Sequence, residues 1–459
     1  MEQTLPGVGA RDALAECTRK MREAGVPATA IEVFAHYHQL CAEGATGIIE
    51  EESILPLTDP PSLDGVDVED GVAGDALART VLIKLNGGLG TSMGLDAAKS
   101  LLPVRNGKNF LDITVDQVRH ARRAFGVRLP LIFMNSFRTR ADTLTHLEHY
   151  ADLPVEGLPL DFLQNREPKL RVDDLAPVEW PADPSLEWCP PGHGDVYIAL
   201  WTSGLLDALI ARGFRYANLA NGDNLGAAPH ATLAGWFAQS GAPYAAEVCT
   251  RTPNDRKGGH LAIRKTDGRL ILRDSAQTTD ADQRYFQDER VHPYFHANNL
   301  WLDLEQLRST LVERDGILGL PLIRNDKTVD PTDASTPKVI QLESAMGAAI
   351  EVFDGARAIA VGRDRFLPVK TTNELMLLRS DVFELGDDGR LRATAAIPSI
   401  DLASRYYKLI DDFESRVKVV PSLRRASSLT VRGDWVFDRS ADVVGDLVLP
   451  ETGQEERYP

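Results

Sequence analysis

Short apolar runs alternate with helical patterns through the middle of the chain, beginning at Arg79. The runs lie at residues 80–85, 130–134, 216–220 and 244–248, with helical patterns at 112–124, 140–150, 196–211 and 231–239. Apolar strands that alternate with helices form a largely parallel sheet covered on both faces. Ligands of such sheets bind at the carboxyl ends of the strands. The sequence therefore predicts an α/β fold whose binding site lies in the loops that follow these runs.

The first apolar run leads directly into a glycine-rich loop. Residues 81–94 read VLIKLNGGLGTSMG, and Lys99 follows within reach of a phosphate bound by the loop. Glycine adopts positive φ and lets backbone N–H groups approach a ligand. The loop matches neither common template: a Walker A loop has glycine where Ala98 stands, and the glycine spacing is one residue too wide for a Rossmann fingerprint. By itself the segment predicts either a phosphate-binding loop or a tight turn.

Composition narrows the partners that the chain can bind. With 459 residues, of which 43% are apolar, it is long enough for about two or three domains. Acidic residues exceed basic ones and give a formal charge of −17, which disfavours binding to nucleic acid and to anionic membranes. A polyanionic substrate therefore needs individually placed lysines, backbone N–H groups or a metal ion.

The cysteines and the apolar runs indicate a reducing, aqueous compartment. Cys17, Cys41, Cys189 and Cys249 are far apart and form neither a metal-binding pattern nor a disulfide framework. No signal-peptide pattern is visible at the N-terminus, and no apolar run approaches the roughly 20 residues that span a bilayer. We expect a soluble, cytoplasmic protein.

The two ends of the chain differ from its middle. Apolar residues at intervals of three predict helices in the first 50 residues or so, and residues 56–74 form an acidic, turn-rich linker. Near the C-terminus two apolar series recur every six residues: Val431, Phe437, Val443 and Leu449, and Leu429, Trp435, Ala441 and Leu447. This period is typical of a parallel β-helix, although an ordinary meander gives similar alternation. The expected domains are 1–75, 76–385 and 386–459.

Several motifs resemble those of one enzyme family. The segment LNGGLGTSMG at 85–94, with Lys99 and Ser100, resembles the nucleotide-binding loop of the eukaryotic-type UTP–glucose-1-phosphate uridylyltransferases, also called UDP-glucose pyrophosphorylases. Further matches are FLD at 110–112, MNSF at 134–137, PPGHGD at 190–195, NGDNLG at 221–226, NNLW at 298–301, VIQLES at 339–344 and RFLPVKTT at 365–372. They keep the family's order over roughly residues 80 to 450.

The resemblance implies both a fold and a reaction. The fold is a GT-A-like Rossmannoid nucleotidyltransferase domain with N-terminal helices and a short C-terminal left-handed β-helix. The reaction is Mg²⁺-dependent, reversible transfer of the uridylyl group of UTP to glucose 1-phosphate, which gives UDP-glucose and pyrophosphate. The nucleophile is already an anion, so no general base is needed. Lysines, Mg²⁺ and oriented N–H groups then bring two polyanions together and stabilise the transferred group.

The nucleotide side of the site follows residue by residue from the resemblance. Lys99 and Lys370 are the expected catalytic residues and contact phosphates. Lys370 stands in an apolar run, where a desolvated lysine requires an anionic partner. Backbone groups of the glycine-rich loop meet the nucleotide, and the residues expected there are Leu85, Asn86, Gly87 and Gly88. Gln164 is expected at the uracil edge because an amide both donates and accepts.

The sugar and metal side is assigned in the same way. Gly192 and His193 precede a helix, whose first N–H groups favour anions, and the histidine is expected at the sugar phosphate. Asp223 closes a strand and is expected to hold Mg²⁺ through its carboxylate. The residues expected around the sugar are Asn221, Asn298, Asn299 and Glu343, with Lys257 in a loop that approaches it.

Other functions remain as alternatives. A pyrophosphorylase for another sugar 1-phosphate, such as that of N-acetylglucosamine or galactose, differs only around the sugar. A non-catalytic UDP-sugar sensor would lack one of Lys99, Lys370 or Asp223, and all three are present. A nicotinamide-dependent dehydrogenase requires a different glycine spacing. The expected partners are UTP, glucose 1-phosphate, UDP-glucose and pyrophosphate, with a possible homo-oligomer formed through the C-terminal module.

Overall fold

A computed structural model describes residues 8–252, 255 and 258–459 of the chain. Its α-helices are α1 (Val8–Glu23), α2 (Ala28–Ala42), α3 (Asp70–Ala78), α4 (Phe110–Phe125), α5 (Arg140–Leu147), α6 (Val196–Thr202), α7 (Leu205–Ala211), α8 (Ala231–Ser240), α9 (Gln283–Phe286), α10 (Leu304–Glu313), α11 (Thr372–Arg379), α12 (Ser404–Tyr407) and α13 (Ile410–Arg416). Among these residues no single helix is long and apolar enough to cross a membrane, although the bent pair His193–Thr202 and Leu205–Ala211 meets the length and composition test when taken together.

The first fourteen strands build the sheets of the middle of the chain and the hairpins beside them. They are β1 (Ile54–Pro56), β2 (Thr80–Asn86), β3 (Pro103–Arg105), β4 (Lys108–Asn109), β5 (Leu131–Asn135), β6 (Asp161–Leu163), β7 (Glu167–Pro168), β8 (Leu170–Arg171), β9 (Trp188–Cys189), β10 (Tyr216–Asn221), β11 (Tyr244–Thr250), β12 (His260–Arg264), β13 (Leu270–Arg273) and β14 (Tyr294–Asp303).

The remaining strands lead into the C-terminal module. They are β15 (Ile323–Thr328), β16 (Lys338–Glu343), β17 (Arg357–Ala360), β18 (Phe383–Leu385), β19 (Leu391–Ala393), β20 (Ser399–Leu402), β21 (Ser422–Val431), β22 (Trp435–Val436), β23 (Asp442–Leu449) and β24 (Glu456–Arg457).

A seven-stranded sheet in the order β17-β11-β14-β10-β2-β5-β6 forms the centre of the molecule. Strand β14 runs antiparallel to both of its neighbours, whereas the other pairings in this sheet are parallel. Strands β2 and β5 are buried along almost their whole length, as expected for a sheet covered on both faces. The α/β prediction is confirmed, and the carboxyl ends of β2, β5 and β10 share one edge of the sheet.

Two local predictions were wrong, and each has a physical reason. The predicted linker at 56–74 contains the start of α3, because Ala73, Ala76 and Leu77 bury an apolar face. The helix predicted over 196–211 is divided into α6 and α7 at Gly204, whose φ of 74° does not fit a right-handed helix.

The C-terminal module consists of parallel strand pairs. Strand β21 pairs in parallel with β20 on one side and β23 on the other, which sets Val431 between Leu402 and Leu449. Consecutive hairpins give antiparallel pairs, so these strands are not a simple meander. The six-residue series Val431, Phe437, Val443 and Leu449 is buried. This module shares one hydrophobic cluster with Met93 of the glycine-rich loop.

Candidate active site

A cleft of about 720 Å³ opens at the carboxyl end of β10. Its lining includes His193, Asn221, Asn298 and Lys370, which come from four separate parts of the chain. Asn221 is the last residue of β10, and ligands of parallel sheets bind at the carboxyl ends of the strands. The predicted site residues therefore gather at the position expected for this fold class.

Lys99 and Asp223 form an ion pair beside the glycine-rich loop. The Lys99 Nζ donates to Asp223 Oδ2 at 2.6 Å, and the two side chains are 16% and 22% exposed. The Lys99 N–H donates to the Gly88 carbonyl at 3.2 Å, which fixes the lysine against the loop. The turn before Asp223 needs glycine, since a Cβ at Gly222 would lie 2.8 Å from the Leu85 carbonyl oxygen. A partly exposed pair of this kind can exchange its partners for a phosphate and a cation.

The donor set at Asp223 suits a magnesium ion that is shared with substrate. Among the described residues no three His, Cys, Asp or Glu side chains come together in a group that could hold a metal. Magnesium usually keeps several waters and takes only one or two carboxylates, with substrate phosphates as further ligands. A single carboxylate at the edge of the cleft is compatible with that pattern.

The nucleotide side of the site is formed by Gly87, Gln164 and Gly192. The Gln164 Nε2 donates to the Gly192 carbonyl at 3.0 Å. A Cβ at Gly87 would lie 2.6 Å from Gln164 Oε1, so any larger residue there would displace the amide from its present position beside the loop. A Cβ at Gly88 would meet nothing within 4 Å, and the backbone there faces open space.

The side chain of Asn86 is directed away from this space. It is 5% exposed and donates to Asn135 Oδ1 and Thr143 Oγ1, each at 2.8 Å. Leu85 is partly buried, and its carbonyl accepts the Gly222 N–H at 2.8 Å. These two residues therefore shape the loop through buried contacts, and only their backbone can reach a nucleotide.

The segment around His193 is held by the end of β16. The Gly194 N–H donates to the Ser344 carbonyl at 2.8 Å. Gly192 has a φ of 80°, and a Cβ there would lie 2.6 Å from the same oxygen and 2.9 Å from the Cβ of Glu343. Glu343 and Ser344 thus support the turn that carries the histidine. Lys257 lies outside the described residues.

His193 presents one nitrogen to the cleft. Its Nδ1 accepts the Met346 N–H at 2.8 Å, which leaves the ring proton on Nε2. Desolvation among the cleft walls lowers the pKa of His193 to about 4. Although its surface is open to the cleft, the ring is therefore neutral near pH 7 and acts as a hydrogen-bond donor.

Asn298 and Asn299 point to opposite sides of β14. Asn298 has a φ of 57°, and its Nδ2 donates to Asn221 Oδ1 at 3.2 Å in the cleft. Asn299 is fully buried and donates to Glu247 Oε2 and to the Arg365 carbonyl, both at 3.1 Å. The predicted sugar contact of Asn299 is wrong for this arrangement, because neighbouring residues of a strand face opposite ways.

Lys370 is exposed in the cleft rather than desolvated. Val369 is buried and Lys370 is exposed, so the apolar run alternates between the core and the cleft. Among the described residues no carboxylate lies within 4.0 Å of its Nζ. Thr371 caps α11, and Lys370 therefore stands at a helix start, where anions are favoured.

The sequence patterns did not predict the buried polar network that lies behind the cleft. Arg365 and Glu247 form an ion pair at 2.7 Å, and Trp301 Nε1 donates to Glu247 Oε1 at 3.0 Å. Burial raises the pKa of Glu247, whereas Arg365 and the hydrogen bonds lower it, and the net direction is downward. Glu247 is a charged residue inside a buried apolar strand. That pattern could have indicated a buried partner of opposite charge.

Comparison with known proteins points to one family. The profile described as UTP–glucose-1-phosphate uridylyltransferase matches residues 31–443. An enzyme of that name from Solanum tuberosum is 39% identical over 379 residues, which cover 81% of this chain and 77% of the relative. The one from Saccharomyces cerevisiae is 37% identical over 378 residues, covering 81% and 74%.

Solved structures lead to the same group. The UDP-glucose phosphorylase of Trypanosoma brucei is 42% identical with a TM-score of 0.89, and the match covers 98% of this chain and 100% of that one. A variant UDP-glucose pyrophosphorylase from Leishmania major, in complex with UDP-glucose, is 40% identical with a TM-score of 0.91 and covers 97% of both chains.

Proposed function

The chain belongs to the UTP–glucose-1-phosphate uridylyltransferase family, and we propose that it carries out this reaction in the cleft at the carboxyl end of β10. It transfers the uridylyl group of UTP to glucose 1-phosphate and gives UDP-glucose and pyrophosphate. The observation that carries the assignment of the site is that Lys370 and Asn221 line one cleft, while Asp223, two residues after Asn221, pairs with Lys99 beside the glycine-rich loop.

UTP binds along the glycine-rich loop. The N–H groups of Gly87 and Gly88 face its phosphates, and Gln164 pairs with the uracil edge. Support comes from the closeness of the Gln164 amide to Gly87, where a Cβ would lie 2.6 Å from Gln164 Oε1. Lys99 turns from Asp223 to a phosphate of UTP when the nucleotide enters.

Glucose 1-phosphate binds on the other side of the cleft. Asn221 and Asn298 face sugar hydroxyls, and Glu343 supports the turn at Gly192. His193 donates its Nε2–H to the sugar phosphate. A neutral histidine can do this throughout the physiological pH range, because its pKa is about 4.

The reaction is an in-line displacement at the α-phosphorus of UTP. A phosphate oxygen of glucose 1-phosphate attacks, the new P–O bond forms, and the bond to the β-phosphate oxygen breaks with release of pyrophosphate. No proton has to be removed from the nucleophile. Lys370 stabilises charge on the transferred phosphoryl group, and the exposed position of its ammonium in the cleft supports this role. Mg²⁺ bound by Asp223 and substrate phosphates would neutralise further charge.

The finer architecture is part of the same proposal. Residues 76–385 form a GT-A-like Rossmannoid domain after an N-terminal segment, 1–75, and residues 386–459 form a short left-handed β-helix. The parallel pairs of β20, β21 and β23 support the β-helix. Strand β23 is an edge strand with exposed Val444 and Val448, which supports association of two copies through this module. We propose a cytoplasmic location.

Pyrophosphate release tests the function. Purified protein with Mg²⁺, UTP and glucose 1-phosphate is compared with Lys370→Ala, and with Lys418→Ala as an exposed-lysine control outside the cleft lining. We expect release with the wild type and the control, and a loss of about 10²- to 10³-fold in Lys370→Ala. Release only with the 1-phosphates of N-acetylglucosamine or galactose would overturn the named sugar. The absence of pyrophosphate release with every sugar phosphate would overturn the proposed reaction.

A further inference from the structure

Asn224 uses its whole side-chain amide to join three parts of the site. Its Nδ2 donates to Asn299 Oδ1 at 3.0 Å and to the Arg365 carbonyl at 3.2 Å. Its Oδ1 accepts the N–H groups of Leu367 at 2.8 Å and of Gly226 at 3.1 Å. The side chain is 3% exposed, and its two donors and two acceptor positions are all satisfied.

These four bonds connect the two segments that carry Asp223 and Lys370. Asp223 precedes Asn224 in the same loop, and Leu367 lies three residues before Lys370. Asn224 also forms an isolated antiparallel bridge with Pro368. The amide thus ties the end of β10 to the strand-like segment that leads to Lys370.

The close approach of the two segments is itself built into the chain. A Cβ at Gly226 would lie 2.5 Å from the Asp364 carbonyl oxygen, so glycine is required where the loop passes residues 364–365. Arg365 donates to the Ala228 carbonyl at 2.6 Å and holds the far end of the loop. Arg365 thus joins the end of the loop to its own segment, and the Asn224 amide joins the start of the loop to the residues that lead to Lys370.

We propose that Asn224 is a positioning residue that sets Lys370 relative to Asp223 for uridylyl transfer. The inference rests on the proposed function, in which both residues act on the transferred group. Asn224 lies in the wall of the cleft but is only 3% exposed, and its amide is fully occupied by protein partners, so we assign it no contact with substrate. Displacement of a reacting group by about 1 Å can cost roughly 10²-fold in rate, so a change at this amide acts through Lys370.

An aspartate is the sharpest test, because it keeps the shape and loses both donors. In Asn224→Asp the new carboxylate faces the Arg365 carbonyl and Asn299 Oδ1, which are acceptors in this arrangement. We expect kcat to fall by about 10²-fold while KM for UTP changes by less than about threefold, since Gly87 and Gln164 are untouched.

A double-mutant comparison separates positioning from general damage to the fold. In a Lys370→Ala background the same substitution should cost less than about threefold, because the group that it positions is gone. Asn218→Asp is the matched control: Asn218 is a buried asparagine like Asn224, but it lies within β10, and its Nδ2 donates to the Leu300 carbonyl at 3.0 Å. Its cost should be equal in both backgrounds. An equal cost of Asn224→Asp in both backgrounds would overturn the proposal.

Hydrogen exchange gives a second readout that does not depend on activity. Asn224→Leu removes the acceptor of the Leu367 N–H, so the amides of residues 366, 367 and 369–371 should exchange faster, whereas Asn218→Leu should leave them unchanged. If amide exchange were unchanged in Asn224→Leu, the proposal that Asn224 holds the segment leading to Lys370 would be overturned. A wild type that is inactive with UTP and glucose 1-phosphate would instead refute the proposed function, and the exchange result would still decide whether Asn224 holds this segment.

Discussion

Two ion pairs lie beside the loop that follows β10, and their N–O distances are nearly the same. Lys99 and Asp223 are 2.6 Å apart, and Arg365 and Glu247 are 2.7 Å apart. The first pair is 16% and 22% exposed, whereas the second is 4% and 0% exposed. Length alone therefore does not separate a pair that can react from one that holds the fold.

The difference lies in the bonds that surround each pair. Both oxygens of Glu247 accept from Arg365, and each accepts one further donor, from Trp301 or from Asn299. A buried charge that is this fully satisfied has nothing to exchange with. Lys99 and Asp223 meet through one bond at the edge of the cleft, so an incoming phosphate can replace the carboxylate.

The largest effect is expected when the buried pair is broken. Arg365→Met leaves Glu247 charged without its partner, and we expect the free energy of unfolding to fall by about 3–5 kcal/mol in urea titrations. Arg308→Met is the control, because Arg308 and Asp207 are 50% and 54% exposed and a surface pair contributes at most about 1 kcal/mol. A loss below about 1 kcal/mol for Arg365→Met would refute the structural role of this pair.

A smaller effect is expected from removing one donor to Glu247. Trp301→Phe keeps the ring in the core and removes the Nε1–H, which should cost about 1.5–3 kcal/mol because the acceptor is charged. In Trp435→Phe the lost bond goes to the neutral carbonyl of Pro450, and about 1 kcal/mol is expected. Equal losses in the two variants would show that Glu247 is not held as a charged group.

The charges of Glu247 and Asp223 both act on Lys84, whose expected effect is on the pH dependence of stability. Burial, and then the charge of Arg365, lower its pKa from 10.5 to about 7, against the opposing effects of Glu247 and Asp223. Between these two values the unfolded chain binds a proton that the folded chain does not. This group therefore makes the free energy of unfolding rise with pH from about 7 to 10.5.

Replacement of Lys84 should remove that contribution. Urea titrations of the wild type and Lys84→Met at several pH values give the difference in unfolding free energy. We expect the wild type to gain stability relative to the variant as the pH rises through this window. A difference that is independent of pH would mean that Lys84 stays charged in the folded protein.

The sequence predicted the sheet and most of the cleft, because both depend on local patterns. Apolar runs of strand length and the glycine-rich loop are local patterns, each of which can be recognised within one short segment of the chain. Of the residues that the motifs singled out, His193, Asn221, Asn298 and Lys370 line the cleft.

What the sequence could not predict depends on register and on distant partners. Asn298 and Asn299 are adjacent and chemically identical, and the register of β14, which the sequence does not reveal, decides which one faces the cleft. Asn224 stands within the NGDNLG motif, and its bonds to Arg365 and Leu367 join residues more than 140 positions apart. Contacts between residues this far apart in the chain leave no local pattern in the sequence.

The most direct test of the contrast between the two pairs is the kcat of Asp223→Asn for pyrophosphate release, measured beside its urea midpoint. A carboxamide keeps the size of the side chain and loses the charge that pairs with Lys99 and suits Mg²⁺. We predict a loss in kcat of about 10²- to 10³-fold, with a change in unfolding free energy below about 1 kcal/mol. A kcat within about threefold of the wild type, or a loss that appears only as the protein unfolds, would contradict the assignment of Lys99 and Asp223 as the reactive pair.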